Sequence, residues 1–97
     1  MDIYKNEGSN KYEDLSDHLS SLVEHLKNYE KKISLETKEK IKEVLVKMRP
    51  LSKTLDGKIL EIFDELEEKV FLFLDNPKEL DRLIQICVDL KNQLWEL

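Results

Sequence analysis

Apolar residues recur at steps of three and four along two consecutive segments in the C-terminal half of the chain. The first segment, residues 58–74, carries Ile59, Ile62, Phe63, Leu66, Val70 and Phe73. The second segment follows Pro77 and ends at Leu97; it carries Leu80, Leu83, Ile84, Cys87, Leu90, Leu94 and Leu97. This spacing places each set on one side of an α-helix. Because only Asp75-Asn76-Pro77 separates the two segments, we predict that the two helices are antiparallel neighbours.

The N-terminal half shows the same periodicity in two further segments. Residues 10–33 contain an apolar stripe that fills an arc of about 120° on a helix: Tyr12, Leu15, Leu19, Leu22, Val23, Leu26, Tyr29 and Ile33. Asn10 is followed three residues later by Glu13, the spacing of a capping box, so this helix is predicted to begin at Asn10. Residues 34–49 form the next predicted helix, capped by Ser34, with a core set of Leu35, Ile41, Val44, Leu45 and Met48.

A proline marks the predicted end of the second helix. Arg49 precedes Pro50, and the α conformation is disfavoured for a residue before proline, so this helix is expected to end or kink near Met48–Arg49. Residues 50–57 then either break the chain at Asp56-Gly57 or become part of one kinked helix. We favour a break.

A second proline marks the predicted start of the fourth helix. Asn76 is the expected N-cap, with Pro77 at the first helical position and Glu79 at the third. At the other end of the chain, residues 1–9 lack periodicity and are predicted to form a flexible tail. The sequence therefore predicts one helical domain over residues 10–97.

Four amphipathic helices with short connections predict an all-α fold, an antiparallel four-helix bundle. A break within residues 50–57 also permits a flatter leaf in which two helical hairpins splay apart. That arrangement is similar to the saposin family, although this chain lacks the disulfide cysteines of that family. We therefore transfer no saposin residues to this sequence, and lipid binding is among the least favoured functions.

The composition indicates a globular domain with an acidic surface. The net charge is −5, and no basic patch with interleaved aromatic residues is present, so we do not expect nucleic-acid binding. No stretch approaches the roughly 20 apolar residues that cross a bilayer. Residues 1–11 lack the apolar core of a secretory signal, and Cys87 is the only cysteine. We therefore expect a cytoplasmic protein.

The chain contains no alanine and is rich in Glu, Lys, Leu and Ile. In this composition it resembles small acidic helical proteins of hyperthermophilic archaea. The resemblance extends over the whole chain but includes no motif, and it implies thermostability.

Carboxylates form the first candidate site. The third predicted helix carries four of them at steps i, i+3, i+4 and i+7, on the face opposite the apolar one: Glu61, Asp64, Glu65 and Glu68. Like charges at these spacings repel, and Ca²⁺, which prefers several carboxylate oxygens, would relieve that repulsion. Asp75 and Glu79 extend the set into the next turn. Weak calcium binding is therefore an alternative function, and a solvated acidic face is the simpler interpretation.

Other polar residues have structural explanations. Glu13, Asp14 and Asp17 lie near the predicted start of the first helix and suit the positive end of its dipole. His18 and His25 share one side of that helix but are about 10 Å apart, too far to bind one metal ion. They are predicted to lie at the edge of the apolar stripe.

The apolar surplus of the C-terminal hairpin is the most informative feature. A helix in a four-helix bundle needs an apolar arc of about 100–140°, whereas Ile86 and Trp95 widen the arc of the fourth helix to about 200°. On the third helix, Phe71 lies at the edge of the stripe and Leu72 on the acidic side. These four residues predict an interface with a partner protein or a second copy of the chain. Alternatively, residues 50–55 or the tail cover them.

The sequence therefore predicts a non-catalytic binding module. It contains no P-loop and no G-x-S-x-G, H-E-x-x-H or C-x-x-C motif, and Cys87 faces the predicted core. Protein–protein interaction or self-association through the C-terminal hairpin is the leading function and calcium binding the second. A lipid carrier or an enzyme comes last.

Overall fold

Four α-helices form a closed ring in the computed structural model, which describes residues 6–96 and the side chains of residues 11–95. The helices are α1 (Asn6–Lys31), α2 (Leu35–Leu55), α3 (Gly57–Asp75) and α4 (Leu80–Glu96). Each helix packs against the next one, and α4 returns to pack against α1. The predicted four-helix bundle is therefore confirmed. The two hairpins contact each other along two seams, so they do not splay into a leaf.

The core consists of one apolar stripe from each helix. Its centre is formed by residues of almost no solvent exposure, mainly Leu15, Leu19, Leu22, Leu26, Ile41, Leu45, Met48, Ile59, Phe63, Leu66, Val70 and Leu90. Burying one large apolar side chain contributes about 1.5–3 kcal/mol, so this stripe is the main source of stability. The prediction was wrong for two residues that were expected to lie in the core. Ile33 and Leu35 are exposed because they flank the connection between α1 and α2, beyond the last packed layer.

α1 begins at Asn6 rather than at Asn10, so the predicted start was wrong. Gly8 lowers the stability of a helix by about 1 kcal/mol relative to alanine, and Ser9 lowers it by less. These penalties are too small to end the helix, because its later turns pack in the core. Residues 6–9 of the predicted tail are therefore helical, and residues 1–5 lie outside the described part of the chain. The predicted Ser34 cap is confirmed, because its Oγ accepts a hydrogen bond from the Thr37 N–H at 3.2 Å.

α2 continues through Pro50 to Leu55, so its predicted end at Met48–Arg49 was wrong. Proline lacks an N–H and crowds the carbonyl four residues earlier, which disfavours the interior of a helix. Pro50 itself is exposed, whereas Ser52, two residues later, is fully buried. Packing of this last turn outweighs the proline penalty. The Ser52 hydroxyl donates to the Met48 carbonyl at 3.0 Å, so burial leaves it with a partner.

One residue determines the boundary between α2 and α3, and another determines the end of α3. The predicted break at Asp56-Gly57 is confirmed: Asp56 is extended (φ −161°, ψ 144°), and its carboxylate accepts the Lys58 N–H at 2.7 Å. The prediction for Asn76 was wrong, because this residue ends α3 by donating its N–H to the Leu72 carbonyl at 3.0 Å.

α4 begins at Leu80, three residues after the predicted position at Pro77. Pro77 disfavours the α conformation at the preceding residue, so the chain leaves α3 extended and must turn before the next helix. Glu79 makes that turn with a φ of 62°. The left-handed conformation costs a residue with a Cβ roughly 1–2 kcal/mol.

A hydrogen bond ties α1 to α3, which lie diagonally across the ring. The Tyr29 side chain is buried, and its hydroxyl donates to the Leu74 carbonyl at 2.9 Å. That carbonyl belongs to the last turn of α3, where no intrahelical donor is available. The Tyr29 ring also packs against Phe73, with 6.0 Å between ring centroids. The C-terminal ends of α1 and α3 are therefore held in one position.

We predict that Tyr29→Phe lowers the free energy of unfolding by about 1–2 kcal/mol, because the buried Leu74 carbonyl loses its donor. Urea unfolding followed by circular dichroism measures the change. Tyr12→Phe is the matched control: Tyr12 is only partly buried and its hydroxyl has no partner among the described residues, so we expect a change within about 0.5 kcal/mol. Equal losses in the two variants would contradict the role of the diagonal bond.

Candidate functional site

The structure places the four predicted interface residues on different parts of the bundle surface. Leu72 is 58% exposed and lines a groove between α3 and α4 together with the partly buried Ile86. Trp95 is 82% exposed and lines a second groove, between α1 and α4. Phe71 is 44% exposed and lines neither groove. The apolar surplus therefore forms two separate surfaces rather than one patch.

The α3/α4 groove has a volume of about 670 Å³. Its apolar lining is formed by the buried side chains of Phe73 and Leu83 together with Leu72 and Ile86. Charged and polar residues of both signs surround this lining: Glu65, Lys69, Asn76, Lys78, Glu79, Arg82 and Gln85. An apolar centre with a polar, hydrated rim is the usual anatomy of a protein–protein interface.

The α1/α4 groove has a volume of about 380 Å³. It is lined by Tyr12, Glu13, Ser16 and Asp17 of α1 and by Leu94 and Trp95 of α4. Two aromatic side chains and two carboxylates therefore meet in one depression. Sequence reasoning did not bring them together, because the register of α1 against α4 follows from the whole ring and not from either helix alone.

The six predicted calcium ligands do not converge. Glu61, Glu65, Glu68 and Asp75 are exposed. Asp64 forms an ion pair with Arg49 at 3.2 Å, and Glu79 pairs with Arg82 at 3.7 Å. Among residues 6–96, no three histidine, cysteine or acidic side chains form a group that could hold a metal ion. Calcium binding stays a prediction without a preformed set of ligands in this part of the chain.

Arg49 has a structural role that the sequence did not reveal. Its guanidinium donates to Asp64 and to Glu67 on α3 and lies 5.1 Å from the centroid of the Phe63 ring. The hydrogen bond to Glu67 is the main reason that the pKa of Arg49 is raised; desolvation opposes the rise, and the charge of Glu67 and the contact with Asp64 add to it. Arg49 thus holds α2 to α3. Once Asp56 is known to be the turn between α2 and α3, the sequence does predict that Arg49 and Asp64 face each other, because the two residues lie at similar distances from Asp56 in the sequence.

Cys87 is buried in the core, as its position in the stripe of α4 predicted. Burial raises the pKa of its thiol from 9.0 to about 12. The nucleophilic form of cysteine is the thiolate, which is therefore scarcely populated near neutral pH. Cys87 acts as a small apolar core residue.

Comparisons with known proteins identify no relative of this chain. No family model matches it, and neither the curated proteins nor the solved structures contain a significant match. Within residues 6–96, none of the helices combines the length and the apolar character needed to cross a bilayer. Indications of function therefore come from the two grooves.

Burial of Cys87 predicts a loss of stability in alkali. An unfolded thiol ionises near pH 9.0, whereas the buried thiol stays protonated up to about pH 12. Between these values the unfolded state binds fewer protons, so the free energy of unfolding falls as pH rises. The loss attributable to this thiol is about 2 kcal/mol at pH 10.5.

Urea unfolding at pH 7 and at pH 10.5 measures this effect. Cys87→Ala is the control: it is less stable at pH 7 because of the cavity it leaves, yet it should lose less stability between the two pH values. Equal alkaline losses in both proteins would contradict the assignment.

Proposed function

We propose that this chain is a non-catalytic binding module that engages another protein, in the first instance a second copy of itself, through the α3/α4 groove. The observation that carries the proposal is the exposure of Leu72 beside an apolar groove. A leucine that passes from full exposure to full burial contributes about 1.5–3 kcal/mol. This gain is not realised in the isolated bundle.

The shape of the groove suits a helical partner. Two antiparallel helices leave between them a depression that accepts side chains spaced three or four residues apart on a third helix. In a twofold-symmetric dimer the same surface serves on both sides, so Leu72 of each copy can enter the groove of the other.

The charges around the groove favour the same arrangement. Its rim carries Lys69, Lys78 and Arg82 together with Glu65 and Glu79. A twofold axis can bring opposite charges of two copies together, because both signs are present on one surface. The chain as a whole has a net charge of −5, so a mixed rim also lowers the repulsion between copies at the contact.

The proposal of a non-catalytic role rests on the absence of a catalytic motif from the sequence and on the raised pKa of the Cys87 thiol. A cytoplasmic location is proposed from the lone cysteine. Lipid binding has no supporting observation in either groove.

Sedimentation velocity at increasing protein concentration tests self-association. We expect the wild-type chain to shift from monomer to dimer and Leu72→Gln to raise the dissociation constant at least about tenfold, which corresponds to about 1.4 kcal/mol. Leu35→Gln is the matched control, because Leu35 is an exposed leucine (72% exposed) that lies outside the α3/α4 groove.

Two results distinguish self-association from the binding of a different protein. A wild-type chain that stays monomeric removes self-association, and the heterologous form is then tested by comparing proteins that the wild-type and variant chains capture from extract. Identical behaviour of Leu72→Gln and Leu35→Gln in both experiments would contradict a role for the α3/α4 groove.

A further inference from the structure

Trp95 is exposed at a place that the proposed interface does not reach. It is the only tryptophan of the chain and is 82% exposed, although its neighbour Leu94 is buried. Ile86, nine residues earlier, faces the α3/α4 groove. Nine residues correspond to two and a half turns, so Trp95 lies on the opposite side of α4. Its exposure therefore needs a separate explanation.

The α1/α4 groove beside Trp95 also contains two carboxylates without an ionic partner. Glu13 and Asp17, one turn apart on α1, both line the groove, and neither forms an ion pair or hydrogen bond within the described part of the chain. Lys91 on the facing edge of α4 donates to Ser20 at 3.1 Å instead.

The helix dipole does not account for these two carboxylates. Sequence reasoning assigned them to the positive end of the first helix, but α1 begins at Asn6, so Glu13 lies about two turns inside it. The dipole effect is confined to the first turn of a helix. Neither the helix dipole nor a counter-ion among the described side chains, residues 11–95, stabilises these two carboxylates.

The lining of the groove specifies the chemistry of a ligand. Tryptophan and tyrosine rings attract cations that carry methyl or methylene groups, and carboxylates supply the opposite charge. A hard metal ion is a poor match, because Ca²⁺ takes six to eight oxygen ligands and the groove offers two carboxylates. The volume of about 380 Å³ falls within the ordinary range of small-molecule pockets.

We propose that the α1/α4 groove is a binding site for an alkylammonium group. The indole of Trp95 and the ring of Tyr12 contact the methyl groups, and Glu13 and Asp17 balance the charge. Such a group occurs both in free small cations and on the methylated lysine side chain of a peptide, and the groove offers the same contacts to each.

Trp95 provides a direct readout of binding, since no other tryptophan contributes to the fluorescence. We expect choline to change the emission of Trp95 in a saturable way. The control ligand is 3,3-dimethylbutan-1-ol, which has the shape of choline without its charge. Choline should bind about 5- to 30-fold more tightly than this alcohol, as expected for a cation–π contact reinforced by carboxylates. A peptide with trimethyllysine, titrated in parallel, shows which source binds more tightly.

Three variants locate the site. Glu13→Gln and Asp17→Asn should each weaken choline binding at least about threefold. Asp14→Asn removes the same charge from an exposed residue between them that does not line the groove, and should weaken binding less than twofold. All three residues are exposed, so circular dichroism should show unchanged folding.

Several outcomes would overturn the proposal: no saturable response to choline or to the trimethyllysine peptide, equal affinity for choline and the neutral alcohol, or an equal effect of Asp14→Asn and Asp17→Asn. Leu72→Gln should leave choline binding unchanged, because Leu72 belongs to the other groove. The alkylammonium site and the proposed self-association can therefore fail independently.

Discussion

A ring of four helices can bury only the side chains that point toward its centre or toward the two adjacent seams. This constraint determines most of the structure. On α1 to α4 it selects one stripe of leucine, isoleucine and phenylalanine for the core, and it leaves any apolar residue outside that stripe in contact with water. Leu72 and Trp95 are such residues. Their exposure follows from the geometry of the ring rather than from poor packing, since Phe73, Leu83 and Leu94, which line the same grooves, are buried.

The apolar stripes alone leave the register between neighbouring helices undetermined, and polar contacts fix it. Leucine-rich stripes can slide past one another at a small cost, because one leucine replaces another in each layer. Arg49 restricts that sliding between α2 and α3 by pairing with Asp64 and Glu67, and Tyr29 does so between α1 and α3 through the Leu74 carbonyl. The ion pair is partly exposed and contributes little to stability, so its main effect is on position. These contacts hold α1, α2 and α3 in register, and α1 and α3 each provide one side of a groove whose other side is α4.

The sequence predicted the helices well and their ends less well. Periodicity identified all four stripes, since three- and four-residue spacing is a property of each helix alone. The ends depend on competition between local preference and packing: Pro50 signals a stop that the burial of Ser52 overrides, and Pro77 moved the start of α4 by forcing an extended Asn76. The Asp56 break was predictable because aspartate can cap the helix that follows it.

For the candidate sites too, the sequence predicted what depends on a single helix and not what depends on contacts between helices. The sequence identified Leu72, Ile86 and Trp95 as apolar residues in excess of what a four-helix bundle needs, and each of them lines a groove. It could not separate them into two surfaces, because that separation requires knowing which neighbour each side of α4 meets. The pairing of Trp95 with Tyr12, Glu13 and Asp17 likewise depends on contacts between residues about 80 positions apart in the chain. No pattern within a single helix encodes such a contact.

Acrylamide quenching of Trp95 fluorescence tests most directly whether the ring excludes part of its own apolar surface. The structure places this indole outside the core at 82% exposure, so the quenching constant of the folded protein should approach that of the protein unfolded in urea. A folded protein in which Trp95 is strongly shielded from acrylamide would show that the ring covers this residue, and it would contradict the conclusion that the ring leaves its surplus apolar side chains exposed.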